Sequence, residues 1–182
     1  MICGIDEAGR GCLAGDLCIA GVVFKSEILG LKDSKKLTPK KREALFGEIC
    51  EKSTYKIVTF SSLDVDHLGL SKCLNLGLKA ITEFFGKEYK FIFDGNSKFG
   101  VKELNTMIKA DAKIPEVSAA SILAKVTRDR NLTIAHKKYP DFGFLTHKGY
   151  ATKAHIEALK NFGYTEFHRK TYHIKALEKV LF

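Results

Sequence analysis

The chain has 182 residues, 45% of them hydrophobic and 28% charged, with a formal net charge of +9 and a pI near 9.3. That length sustains a buried core, and an ordinary glycine and proline content (15 and 3) excludes disordered and fibrous classes. No apolar run approaches the roughly 18–20 residues of a membrane span, and MICGIDEAGRG, acidic within its first seven residues, does not read as a signal peptide.

In chain order, residues 2–6 (ICGID) and 17–24 (LCIAGVVF) read as strands joined by a glycine-rich turn. The second is almost continuously apolar, as in a sheet covered on both faces. Thr38 before Pro39 predicts a helix start, with a hydroxyl cap followed by proline at the first helical position, and Leu45 and Ile49 supply its apolar stripe. Tyr55 to Phe60 reads as a third strand, and Leu70, Leu74, Gly77, Leu78, Ile81 and Phe85 keep a helical period. KFIFD (90–94) is a buried strand stopped by Gly95-Asn96, and a fifth strand is expected near 113–117. Ser118 is then expected to cap a helix carrying Ala119, Ile122, Leu123 and Val126 on one stripe. Beyond Pro140 come a helix at about 152–161 and a last one from about 174. The pattern is an α/β core with a C-terminal helical extension.

Cys3, Cys12, Cys18, Cys50 and Cys73 form no C-x-x-C pair, so neither zinc nor a disulfide framework is expected and a reduced, cytoplasmic compartment is the default. The positive charge is unevenly spread. Residues 137–182 hold nine of the 30 basic residues against four of the 21 acids, and KDSKKLTPKKR (32–42) holds six basic residues and one acid. Such runs are ordinarily solvated surface. A basic surface around clustered acids also suits a metal-dependent enzyme on a polyanion, because the metal relieves repulsion between carboxylate and phosphate.

The acids have such a pattern. Asp6-Glu7 ends the first strand and runs into Ala8-Gly9-Arg10-Gly11, while Asp94 ends KFIFD and runs into Gly95. Ligands of open α/β sheets sit beyond the carboxyl ends of strands, although each Asp alone is equally a turn residue. Asp111, in IKADAKIPEVSAAS, could reach the same rim, whereas Asp129 in TRDR reads as a surface ion pair. Carboxylates without His or Cys partners are hard ligands for Mg²⁺ or Mn²⁺. Gly9 and Gly11 either form the turn or admit a ligand sugar or phosphate against main-chain donors. The six histidines read as surface groups or, in the tail, as phosphate neighbours.

DEAGRG (6–11) with LAG (13–15), LKDSKKLTPKKR (31–42), FDGN (93–96), KADAK (109–113), SAASILAKVTRDR (118–130) and HKGY (147–150) occur in this order and together resemble the bacterial ribonuclease HII family over nearly the whole chain. The resemblance implies an RNase H-like fold with a central mixed five-stranded sheet flanked by helices. It implies a catalytic core over 1–138 and a helical extension over 139–182 packed on it as one compact unit. It also implies a monomeric endonuclease cutting 5′ of a ribonucleotide in RNA–DNA hybrid or in DNA duplex with embedded ribonucleotides, in primer and misincorporated-ribonucleotide removal. The family's catalytic acids, which hold two divalent ions (Mg²⁺ or Mn²⁺), map onto Asp6, Glu7, Asp94 and Asp111. Gly9, Arg10 and Gly11 fall where the family reads the 2′-hydroxyl, Tyr150 where it packs a deoxyribose, and Lys35, with Lys36 beside it, where it contacts phosphate. Cys12 and Asp16 stand where the family commonly has prolines; a looser loop and a negative charge near a phosphate path are expected from them. A non-enzymatic nucleic-acid-binding protein, another RNase H-like enzyme such as a transposase or resolvase, and a small metal phosphatase remain open on the residues alone.

Overall fold

Strands β1 (Ile2–Ala8) and β2 (Leu17–Phe24) form an antiparallel pair in which Asp6 faces Ala20. The computed structural model describes residues 1–31 and 37–178. β3 (Ser53–Phe60) pairs antiparallel with β2, while β4 (Lys90–Asp94) and β5 (Leu104–Met107) extend the other side in parallel, giving the sheet order β3-β2-β1-β4-β5. The mixed five-stranded sheet is thus as expected, with one strand displaced. The segment at 113–117 is not a strand, because Pro115 fixes φ and lacks an N–H, which suits the first position of a helix. Helix α4 accordingly runs Pro115–Lys138 from an Ile114 cap, and Ser118 is buried inside its first turns rather than capping it.

Both sheet faces are covered. Helices α1 (Pro39–Lys52) and α4 bury Leu45, Ile49, Ala119, Ile122 and Leu123 against Cys18, Ala20 and Val22. On the opposite face α3 (Leu70–Phe85) packs Leu74, Leu78 and Ile81 on Ile5, Leu17, Ile19 and Phe93. Alternate residues of β2 therefore enter different cores, which is why its sequence is apolar throughout. Gly4 lets α4 lie directly on β1: a Cβ there would meet the Glu116 carbonyl carbon at 2.3 Å. Thr38 caps α1 as expected, accepting from Lys41 N at 3.2 Å. A short helix that the periodicity does not announce, α2 (Ser62–Leu68), starts with a Ser61–Asp64 capping box.

The C-terminal segment forms α5 (Phe144–His147), α6 (Lys153–Phe162) and α7 (Lys175–Glu178). Phe142, Phe144, Ile156 and Leu159 pack on Leu132 and Ala135 of α4 and on Leu13 and Ala14 of the β1–β2 loop. The extension therefore shares a core with the loop that follows β1. All five cysteines are unpaired, and among the described residues no helix is long and apolar enough to cross a membrane.

Candidate active site

Asp94 ends β4, whereas β1 continues two residues past Asp6 to Ala8 through its pairing with β2, so the strand expected to stop at Asp6-Glu7 runs longer. The parallel register, Ile5 beside Phe93, still sets Asp6 and Asp94 on one rim. Asp111 arrives from beyond β5, where Lys109 adopts a left-handed conformation (φ 57°) and a 3-10 turn (Ala110–Ala112) follows. The same turn aims the Ala110 N–H at Asp94 Oδ1, at 2.9 Å, holding two of the three acids in register. Ligand oxygens of Asp6, Asp94 and Asp111 lie within 4.8 Å of one another. Asp6 and Asp111 are buried. Burial first, and then the charges of Glu7 and Asp94, push the Asp6 carboxyl well above the usual carboxylate range, against hydrogen bonds from Ser121 and the Glu7 N–H. Clustered, dehydrated oxygens of one sign form a hard donor set, and a small divalent cation fits it.

Glu7 follows Asp6 and lines the same cleft of about 240 Å³ with Gly9, Arg10, Gly11, Lys125 and Tyr150. Its Oε1 lies 3.1 Å from Arg10 Nε, and the Arg10 guanidinium covers the Phe99 ring at 5.2 Å. Two glycines of the loop have different geometries. Gly9 has φ 96°, and a Cβ there would meet Asp16 O at 2.3 Å and Arg128 Nε at 2.5 Å, so the fold itself requires it. At Gly11 a Cβ would meet nothing within 4 Å: its missing side chain leaves open space on the cleft.

Two fully buried arginines hold this loop, and both donate to main-chain carbonyls. Arg128, on α4, donates to Ala14 O, Asp16 O and Lys148 O at 3.0, 3.1 and 2.8 Å. Arg169 donates to Arg10 O at 3.0 Å and Gly15 O at 2.9 Å. These bonds offset the loosening expected where Cys12 and Asp16 replace proline. The Asp16 carboxylate is turned to α4, where it accepts from Asn131 Nδ2 at 2.7 Å, so its charge is engaged inside the fold.

Tyr150 is half exposed at the cleft, with the Arg128 guanidinium 5.9 Å from its ring centroid. Its backbone is held by histidines, and here the expectation of surface histidines fails: His147, His155 and His168 are buried. The Thr165 N–H donates to His168 Nδ1 (3.0 Å), which leaves the His168 proton on Nε2 to be donated to His155 Nε2 (3.0 Å). His155 Nδ1–H is then the donor to Tyr150 O at 2.9 Å. His147 stacks on His155 with centroids 4.1 Å apart, donates to Phe142 O and accepts from Gly149 N. Every ring is satisfied in its neutral form, and burial holds His155 and His168 down to about 4.

Asp6, Glu7, Asp94, Gly9, Arg10, Gly11 and Tyr150 thus line one cleft, with Asp111 joined to it through its carboxylate neighbours. Lys35 and its neighbour Lys36 lie outside the described residues. Ser121, Lys125 and Arg42 also line the cleft although the motifs had not singled them out. The signal for the first two was present: Ser121, Lys125 and Asp129 recur every four residues along α4, hence on one face. Asp129 is indeed an ion-pair partner, 2.8 Å from Lys125 Nζ.

A family model described as Ribonuclease HII matches residues 3–175. A protein named Ribonuclease HII from Campylobacter hominis is 59% identical over 181 residues, covering 99% of this chain and 98% of the relative. Another of that name, from Sulfurovum sp., is 57% identical and covers 98% and 94%. Among solved structures, the RNase HII of a PCNA:RNase HII complex from Archaeoglobus fulgidus superposes with TM-score 0.83 at 30% identity, covering 96% of each chain. Bst-RNase HIII in complex with Mn²⁺, at 17% identity and TM-score 0.75 over 99% of this chain and 69% of that one, shares the fold.

Proposed function

The chain belongs to the ribonuclease HII family of metal-dependent endonucleases, and on that premise we propose that it hydrolyses the phosphodiester 5′ of a ribonucleotide in a duplex, leaving 3′-hydroxyl and 5′-phosphate ends. The observation that carries this reading is the set of three carboxylates within 4.8 Å at one rim of the sheet, opening on a glycine loop with free space at Gly11. Asp6, Asp94 and Asp111, with Glu7 beside them, would hold two divalent ions. Bound there, the ions supply a more acidic water and charge stabilisation at the leaving oxygen. Asp6 and Asp94 accept main-chain N–H groups at 2.8 and 2.9 Å, which orients the free faces of both carboxylates.

Gly9, Arg10 and Gly11 would recognise the 2′-hydroxyl, the group that separates RNA from DNA, and Tyr150 would pack against the neighbouring sugar. Lys35 would contact backbone phosphate. Residues 1–138 would act as the catalytic core and 139–182 as its duplex-gripping extension, in a monomer working in the cytoplasm to remove primers and misincorporated ribonucleotides.

The test compares a duplex carrying one ribonucleotide with an all-DNA duplex and a long RNA–DNA hybrid, in Mg²⁺ and in Mn²⁺. Cutting at the single ribonucleotide, with the all-DNA duplex intact, is the expected result, and equal cutting of all-DNA refutes it. In Asp94→Asn cleavage is abolished while duplex binding persists; retained turnover sinks the site assignment.

A further inference from the structure

Arg169 is a buried cation that forms no salt bridge among the described residues: its Nη groups donate to main-chain oxygens of a loop more than 150 residues earlier, Arg10 O at 3.0 Å and Gly15 O at 2.9 Å. Tyr172 adds a second donor to the same carbonyl, its hydroxyl lying 2.9 Å from Arg10 O and 3.0 Å from Arg169 Nη1. Their segment is pinned from outside by Asp66 of α2, whose carboxylate accepts from Lys170 N (2.8 Å), Thr171 N (3.1 Å) and Thr171 Oγ1 (2.6 Å).

Two donors on one carbonyl do more than anchor a loop. The peptide joining Arg10 and Gly11 is trans, so it is planar and its C=O and N–H point in opposite directions. Fixing Arg10 O against Arg169 and Tyr172 turns the Gly11 N–H the other way, and Gly11 lies exposed on the cleft beside Asp6 and Glu7. A side chain at Gly11 would meet nothing, so an acceptor atom can approach that amide.

We propose that Arg169 and Tyr172 are positioning residues for the Arg10–Gly11 peptide, presenting the Gly11 N–H to the ribose 2′-oxygen, so that discrimination between ribose and deoxyribose is set from the C-terminal extension. This rests on the cleavage reading above. It accounts for a buried arginine whose removal the carboxylate site would not otherwise register.

The test is Tyr172→Phe, which removes one donor and keeps the ring, with Arg169→Lys as the second variant. Three readouts are taken: kcat/KM on a duplex with one ribonucleotide, affinity for the all-DNA duplex of the same sequence, and the Gly11 amide resonance of the free protein. A lost hydrogen bond of ordinary strength lowers kcat/KM by about tenfold. The Gly11 resonance moves, while all-DNA affinity stays within about twofold of wild type, a change small beside one lost bond. A merely structural role lowers both duplex readouts together or leaves their ratio unchanged; either outcome, like an unmoved Gly11 resonance in Tyr172→Phe, overturns the proposal. If the wild-type protein fails to prefer the ribonucleotide duplex, the cleavage reading itself has failed and this proposal goes with it. If wild type discriminates and the variants discriminate equally, only this proposal is lost.

Discussion

Replacing Asp6 by Asn removes a charge from a crowded, dehydrated place, and the structure sets the scale of the effect. Carboxylate oxygens of Asp6, Asp94 and Asp111 lie within 4.8 Å of one another, and unit charges at that separation repel by about 3 kcal/mol per pair at an effective dielectric near 20. Wild type can relieve the strain by protonation, since burial and neighbouring charge push the Asp6 carboxyl up. Taking that proton from neutral solution costs about 4 kcal/mol at most for a group of ordinary value, which caps the gain. The amide keeps an oxygen for the Glu7 N–H that Asp6 Oδ1 now accepts at 2.8 Å. Metal-free Asp6→Asn is therefore more stable than wild type by about 3 kcal/mol, or roughly 6–12 °C in Tm for a domain of this size. Wild type in turn gains more from Mn²⁺, because a cation that binds only the folded state stabilises in proportion to its occupancy. Thermal melts in EDTA and across a Mn²⁺ titration test both halves. A variant that melts at or below wild type in EDTA and keeps the full Mn²⁺ shift refutes the assignment of this cluster as a metal site.

Three further outcomes follow from the geometry. Gly149→Ala places a Cβ 2.2 Å from Ala14 O at φ 76°, so a loss of about 3 kcal/mol or more is expected in urea unfolding, with weakened duplex binding; near-wild-type stability contradicts the packing. His155 and His168 sit at about 4 in the fold against an ordinary 6.5, so the unfolded chain takes up protons first. Stability is then complete above pH 6.5 and falls as pH drops toward 4, by roughly 3 kcal/mol per ring, and a flat urea-stability profile between pH 7 and 4.5 counts against the neutral relay. Duplex affinity in EDTA should fall about tenfold between 50 and 200 mM salt if as few as two phosphates are neutralised; a salt-independent Kd measured by fluorescence anisotropy removes the basic surface from the binding account.

Much of the fold and of the candidate site was legible because it depends on local chemistry. Thr38-Pro39 starts α1 through a cap and a fixed φ, and Asp6 and Asp94 share a rim because they follow matched positions, Ile5 and Phe93, toward the carboxyl ends of adjacent parallel strands. The misplaced fifth strand shows the limit: LNTM (104–107) has little apolar signal, and its pairing with β4 supplies what its sequence lacks. A positive charge of +9 and carboxylates at strand ends were set by the residues themselves. What only tertiary structure decided was the state of the other charged and titratable groups. Nothing local to Arg128 in TRDR or Arg169 in HRK marks them for burial, yet both are buried, each donating to carbonyls of a loop over 100 residues away. The histidines likewise became a neutral relay only when His147, His155 and His168 were packed together. A side chain's type is local, but whether its charge is tolerated inside depends on partners that the chain assembles only by folding.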